Sequence, residues 1–315
     1  MRNDQVTLFS LPKAFTGHSG VIQRNAVRSW VHAGHPVILL GTDEGIAEMA
    51  EEVGATYIPD VAMSDLGTPI LSSAFQLASA KATTPYLGYI NGDILITQSF
   101  NLDVSKLGDD FLCVGRRTDV DIEWEVDFDD EHAVAKLWQI IADQGQLHPK
   151  TGIDYFIFPQ ESSLLKIPDF VVGRPGWDNW MCDRTWKLGI PMVCLTNHLT
   201  VGHQNHDYGH IKQYRGKAWD NPETDKNRAL QDGVHRDLED CTWRVNETGE
   251  ILPRYRQLAR MHSRLARFGM QGIVIRCLHG LRCGVALLQS QLYADVLLTV
   301  KQSRSPESAK TQPAS

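Results

Sequence analysis

The sequence predicts an α/β protein with a mainly parallel central sheet flanked by helices. Three observations carry this. Short apolar runs of β type alternate with helix-spaced runs through the first half of the chain, which is the pattern of βαβ units. One run, Pro36-Val37-Ile38-Leu39-Leu40-Gly41, is continuously apolar, as a strand covered on both faces requires. The helix-spaced runs stop at glycines such as Gly34 and Gly54, the residue that most readily closes a helix.

Taken in order, Val6 to Ser10 reads as a strand stopped by Pro12. Val21 to His32 reads as a helix with Val21, Ile22, Ala26, Val27 and Trp30 on one side. The apolar run ending at Gly41 is the second strand, Ile46 to Val53 the second helix, and Ala55 to Ile58 the third strand. Ile70 to Ala82 is a helix and Tyr86 to Ile90 a strand, with Asn91-Gly92-Asp93 following it and Ile94-Leu95-Ile96 resuming the apolar run. Further on, Phe111 to Gly115 reads as a strand and Val134 to Asp143 as a helix. Asp154 to Phe158 reads as a strand closed by Pro159, Trp177 to Leu188 as a helix and Pro191 to Leu195 as a strand. Gly209 to about Asp240 is polar, with little to pack, and reads as irregular. Trp30 and Phe75 are assigned to the core.

The chain has 315 residues, 42% hydrophobic and 22% charged, with a net charge of −7. These values exclude wholesale disorder, collagen and a disulfide miniprotein, and the acidic balance argues against binding nucleic acid through the whole surface. The six cysteines form no C-x-x-C pair and are expected as reduced thiols. Met1 to Pro12 has no long apolar stretch, so no signal peptide is expected, and no apolar run reaches the ~20 residues of a membrane span. Leu252 to Arg304 carries nine basic residues against Asp295, a net +8, with Leu258, Met261, Leu265 and Phe268 at helical spacing. The domain reading is therefore 1–215 as the ligand-binding catalytic domain, 216–303 as a polar connector and basic helical appendage, and 304–315 as a disordered tail. The basic appendage either rests on an anionic membrane or packs on the acidic main domain.

In parallel sheets ligands bind at the carboxyl ends of strands, so Ser10, Asp43 and Asn91-Gly92-Asp93 lie where function is expected. Asp93 offers an oxygen ligand to a hard divalent cation. The same three residues are also common turn formers. His203-Gln204-Asn205-His206-Asp207-Tyr208 concentrates imidazoles, amides and a carboxylate that are costly to bury without partners, and either His203 or His206 can complete a cation site on Asp93. A polar surface loop is the plain alternative. Gly173-Arg174-Pro175-Gly176-Trp177-Asp178-Asn179-Trp180 is a shaped loop running into a helix. It either presents Asp178 or Asn179 to a ligand beside aromatic walls, or uses Asp178 as a cap. Lys13, Arg24, Arg116 and Arg117 are candidates for phosphate, and Asp154 for an acceptor hydroxyl. No G-x-S-x-G elbow, Walker A or G-x-G-x-x-G motif follows the first strand.

With these segments goes a resemblance. From about Thr7 to Tyr208 the chain resembles the GT-A-type glycosyltransferases of the nucleotide-diphospho-sugar transferase superfamily. The resemblance is carried by Ile22 to Ala26, Gly67-Thr68-Pro69, Tyr89 to Ile94, Val114 to Arg117, Asp154 to Phe156, Gly173 to Trp180 and His203 to Tyr208. It implies a GT-A (Rossmann-like) sheet with a C-terminal helical appendage, and a nucleotide donor bound at the first strands by residues such as Ser10, Lys13, Arg24, Asp43, Asn91, Arg116, Trp177 and Asn179. It implies Mn²⁺ or Mg²⁺ on a D-x-D motif, whose first position is Asn91 here and whose last is Asp93, with His203 or His206 joining. Asp178, with Asp154 near the acceptor, fills the catalytic position of an inverting enzyme. The activity so implied is a metal-dependent glycosyltransferase in surface polysaccharide or glycan assembly. It would be cytoplasmic or peripheral at the inner face of a membrane, with a carbohydrate or lipid-linked acceptor. Two other readings stand beside it: a nucleotidyltransferase that makes the sugar nucleotide, and a non-catalytic protein of the same fold that binds one.

Overall fold

The protein, a computed structural model, is described over residues 1–96, 101–206, 220–231 and 236–254. Val6–Ser10 (β1) leads through a loop into helix Gly17–His32 (α1), which ends at Gly34 with φ 88°. Val37–Leu40 (β2), Ile46–Val53 (α2), Thr56–Ile58 (β3), Leu71–Lys81 (α3) and Tyr86–Ile90 (β4) continue the alternation. These elements fall where the apolar runs and glycine stops place them. After the Asn91-Gly92-Asp93 turn come Ile94–Ile96 (β5), Leu112–Arg116 (β6), Thr118–Val120 (β7), Glu131–Gln144 (α4), Gln146–Leu147 (β8) and Ile153–Pro159 (β9). The remainder is Trp177–Leu188 (α5), Met192–Cys194 (β10), Val201–Gln204 (β11), Pro222–Gln231 (α6), Trp243–Val245 (β12) and Ile251–Pro253 (β13).

Nine strands form one sheet in the order β13-β12-β10-β6-β9-β4-β1-β2-β3. The pairs β1–β2, β1–β4, β2–β3, β6–β10 and β10–β12 are parallel, while β9 runs antiparallel to both β4 and β6. The fold is thus mixed α/β with a large, mainly parallel central sheet. Its strands bury both faces, which explains their continuous apolar runs. Val6, Leu8, Val37 and Leu39 pack with Ala26, Val27 and Trp30 of α1 on one side. Phe9, Ile38 and Leu40 pack with Leu71, Ala74 and Phe75 of α3 and Met181 of α5 on the other. Trp30 and Phe75 are fully buried. Gly88 sits mid-strand in β4 because a Cβ there would come within 2.6 Å of Leu8.

A second sheet, β5-β11-β7-β8, stands apart. Here β11 pairs β5 antiparallel, with His203 opposite Ile94, and β7 in parallel, with His203 opposite Asp119. His203 and Gln204, for which a polar surface loop was the plain alternative, therefore sit on a buried strand.

Between Gly209 and Asp240 the reading as irregular chain is corrected where that stretch is described, because Pro222–Gln231 is a helix. Its inward side is polar, made of Glu223, Thr224, Asn227 and Gln231, so it shows no apolar stripe for periodicity to find. The buried amide of Asn227 is satisfied by the backbone, donating to Val171 O at 3.0 Å and accepting from Val171 N at 2.9 Å. Contacts gather Met1–Leu252 into one compact unit and divide it from Pro253–Ser315, so the described part of the expected connector packs with the main body. The cysteines Cys113, Cys182, Cys194 and Cys241 are free thiols. Cys277, Cys283, the basic stripe from Leu258 to Phe268 and the tail 304–315 lie outside the described residues, as do Asp207 and Tyr208. Among the described residues no helix is long and apolar enough to cross a membrane.

Candidate active site

The carboxyl ends of β1 and β4 open onto a cavity of about 440 Å³. Because β9 runs antiparallel, its amino-terminal end meets the carboxyl end of β4, with Ile90 opposite Tyr155. This brings Asp154 beside Asn91. Asn91 Nδ2 donates to Asp154 Oδ1 at 2.8 Å, and Asn91 N donates to Asp154 O at 3.0 Å. The loop after β1 is held by Gln23 of α1, which accepts from Lys13 N at 2.6 Å and donates to Lys13 O at 3.0 Å. Lys13 is thereby presented at the cavity wall.

The turn after β4 and the strand β11 meet through the second sheet. Gln204 N donates to Asp93 O at 3.1 Å, which brings the two histidines that flank Gln204 to the Asp93 carboxylate. His206 Nε2 lies 3.1 Å and His203 Nε2 3.6 Å from Asp93 Oδ2. One ligand atom from each of Asp93, His203 and His206 lies within 4.8 Å of the others. Burial favours the neutral acid, but the two histidines outweigh it and hold the Asp93 carboxyl well below the usual range. Asp93 Oδ1 is buried with no hydrogen-bond partner among the described residues. An orphaned anionic oxygen beside two imidazoles fits a divalent cation: it supplies the missing partner, and the donor set of one oxygen and two nitrogens suits Mn²⁺ better than Mg²⁺.

The loop before α5 supplies the opposite charge. Arg174 lines the same cavity. Its Nη2 meets Glu223 Oε2 at 2.8 Å, while its Nε is buried without a partner among the described residues. Glu223, from α6, is itself held by Ser64 Oγ at 2.5 Å and Thr68 Oγ1 at 3.1 Å. The Gly67-Thr68-Pro69 segment thus serves to anchor the carboxylate that aims Arg174. Gly176, with φ 113°, turns the chain into α5, and Asp178 lands in its first turn facing the cavity. Burial raises the Asp178 carboxyl above its ordinary value. The charge of Asp154 adds to this, and backbone N–H groups at the helix start oppose it.

Of the candidate site residues singled out in the sequence, Lys13, Asn91, Asp93, Arg117, Asp154, Trp177, Asp178, His203 and His206 line this cavity. Asp154 has both oxygens engaged, Oδ1 by Asn91 and Oδ2 by Arg117 Nη1 at 3.0 Å. Trp177 is nearly buried and packs edge-on against Tyr89 at 4.9 Å, so it is wall rather than a free stacking platform. The others do not line the cavity. Ser10 is buried within β1. Arg24 pairs with Glu125 at 3.0 Å. Asp43 is exposed on its loop. Arg116 Nε donates to His148 O at 2.5 Å, and Asn179 Nδ2 donates to Arg236 O at 2.7 Å. Sequence reasoning missed the roles of Gln23, Asp119, His148 and Glu223. Gln23 lay within the Ile22 to Ala26 segment, the one signal that was available.

No family model matches the chain, and no curated protein matches it. Several solved structures are similar in chain path. A Desulfovibrio desulfuricans G20 protein assigned to the nucleotide-diphospho-sugar transferases is 10% identical, covering 73% of this chain and 97% of its own, at a TM-score of 0.38. Glucosyl-3-phosphoglycerate synthase of Mycobacterium tuberculosis is 13% identical, covering 75% and 80%, at 0.38. The same enzyme in complex with Mn²⁺, UDP-glucose and phosphoglyceric acid is 14% identical, covering 72% and 78%, at 0.37. Likeness of this degree assigns no chemistry to the chain, which is read from its own residues.

Proposed function

We propose that this protein is a metal-dependent glycosyltransferase of GT-A type, moving a sugar from a nucleotide-diphosphate donor to a hydroxyl acceptor. One observation carries the reading. A buried carboxylate oxygen, Asp93 Oδ1, and a buried guanidinium nitrogen, Arg174 Nε, both lack partners among the described residues and belong to residues of the same cavity. A divalent cation together with a diphosphate supplies both missing partners at once.

In this reading Asp93, His203 and His206 hold the cation, and Lys13 and Arg174 meet phosphate oxygens. The cation, when bound, neutralises charge developing on the departing nucleoside diphosphate. Asp178, whose carboxyl has a raised proton affinity, takes the proton of the acceptor hydroxyl if the sugar is transferred with inversion. Asp154, with both oxygens occupied, sets the position of Asn91 and Arg117 rather than accepting that proton. A carbohydrate or lipid-linked acceptor in polysaccharide or glycan assembly, a cytoplasmic site and peripheral membrane contact through 252–304 belong to the same proposal. The membrane contact rests on the basic charge of that segment and on the helical spacing of Leu258, Met261, Leu265 and Phe268 in the sequence.

The test is thermal stability with UDP-, GDP-, CDP- and dTDP-sugars, each with and without Mn²⁺. A donor at ~100 times its dissociation constant stabilises by about 2.7 kcal/mol. A Mn²⁺-dependent shift with one nucleotide, lost in Asp93→Ala, is the expected result, and transfer to an acceptor accompanies it. Full activity in Asp93→Ala overturns the assignment. Pyrophosphate release from a nucleoside triphosphate makes the protein a nucleotidyltransferase instead. Tight donor binding with no transfer or hydrolysis makes it a binding protein.

A further inference from the structure

The register of the second sheet sets a carboxylate behind one of the cation-site histidines. β7 and β11 pair in parallel with Asp119 opposite His203, and register partners on neighbouring strands present their side chains to the same face. Asp119 Oδ1 accordingly lies 3.0 Å from His203 Nδ1, beside the ring nitrogen though not aligned as a hydrogen bond. The other ring nitrogen, Nε2, faces Asp93. The His203 side chain is only 7% exposed, so the ring has no solvent to turn toward. Asp119 is itself fixed from two further sides. Arg117 Nε donates to its Oδ1 at 2.9 Å, and His148 Nδ1 lies 2.5 Å from its Oδ2.

We propose that Asp119 is a positioning residue of the cation site, holding the His203 proton on Nδ1 so that the Nε2 lone pair faces the ion. The proposal rests on the reading of Asp93, His203 and His206 as cation ligands. A carboxylate behind a ligating imidazole fixes tautomer and ring orientation and raises ligand basicity, and its loss costs about 10–100-fold in metal affinity. The effect runs through His203, the cluster residue whose ring Asp119 touches. His148 lines the cavity but contributes no ligand to the Asp93 cluster.

The experiment is a Mn²⁺ titration of the full chain, followed by the paramagnetic resonance signal of free Mn²⁺ without nucleotide. Wild type, Asp119→Asn, His132→Gln, His203→Ala and the double variant Asp119→Asn/His203→Ala are compared, with circular dichroism confirming the fold. Asp119→Asn is expected to weaken Mn²⁺ binding by about 10–100-fold, and His132→Gln, at an exposed position outside the cavity, to leave it within about twofold. In the double variant, Asp119→Asn adds little to the loss from His203→Ala, as expected for two residues acting through one ligand. Asp119→Ser stands in, with the same expected loss, if Asp119→Asn does not fold. Wild-type affinity in the Asp119 variant, with His203→Ala impaired, overturns the positioning role and leaves the cation site intact. A wild-type chain that takes up no Mn²⁺ overturns the cation site itself, and the positioning role with it.

Discussion

Asn91 Nδ2 donates to Asp154 Oδ1 at 2.8 Å. This one bond gives a reason for an amide where the resemblance to GT-A enzymes implies a carboxylate. An aspartate here would face the Asp154 carboxylate and remove the donor that it uses. Asn91→Asp is therefore expected to cost about 1–3 kcal/mol, at ~2–4 °C of melting temperature per kcal/mol, with no gain in Mn²⁺ affinity. Calorimetry and a Mn²⁺ titration check this. Tighter Mn²⁺ binding at an unchanged melting temperature would show that position 91 remains a latent ligand.

Arg174 lines the cavity, its Nε has no partner among the described residues, and Glu223 holds its far end. Arg174→Ala should lower affinity for the nucleoside diphosphate by about 10–100-fold, the usual range for a hydrogen bond to a charged group. Mn²⁺ binding without nucleotide should be unchanged. Glu223→Gln should act in the same direction but less, because Ser64 and Thr68 still hold that side chain. Isothermal titration of both variants with and without nucleotide separates an anion contact from a general loss of structure.

Asp178 couples function to stability. Its carboxyl is raised by burial, so the folded chain binds its proton more tightly than the unfolded chain does. Stability from this group is then present at low pH and is lost as pH rises from the ordinary carboxylate value through the folded one. Asp178→Asn removes the ionised form. It should melt higher than wild type at pH 7, with the gap closing toward pH 4, while turnover falls and donor affinity holds. A large loss of donor affinity would move Asp178 from proton transfer to binding.

His35 titrates in the opposite sense. Burial, opposed only in part by its contact with Val6 O at 3.1 Å, lowers its pKa to about 4. The folded chain keeps the ring neutral where the unfolded chain charges it. Stability is whole above pH ~6.5 and falls as pH drops toward 4, by up to about 3 kcal/mol at 1.36 kcal/mol per pH unit. A denaturation series from pH 7 to 4 should show this acid limb in wild type and a shallower one in His35→Gln. Equal slopes in the two would place the acid sensitivity elsewhere.

The first four strands and three helices were legible because each has its own apolar period and its own stop. Ile46 to Val53 is bounded by glycines in the left-handed conformation at both ends, a signal contained in ten residues. Asp93 with His203 and His206 was legible as chemistry, because imidazoles and a carboxylate stood out beside apolar strands. Their meeting depends on β11, a strand that the polar His203-Gln204 pair concealed. What stayed hidden were partners set by register alone. Asp119 reaches His203 only because β7 and β11 align, and Arg174 is aimed by a glutamate 49 positions on, from a helix whose buried side is polar.

The antiparallel β9 has a consequence for how the chain is made. It enters between β4 and β6, and some sixty residues separate Ile90 from Ile153. A chain growing from its amino terminus therefore completes β3-β2-β1-β4 well before β9 exists. In that interval β4 is an open edge, the kind of surface that recruits strands from other chains. Asp154 arrives on the strand that seals this edge, and with it the partner of Asn91. Arg174, Asp178, His203 and His206 follow β9 in the chain, so the open edge is sealed before the ligand site is complete.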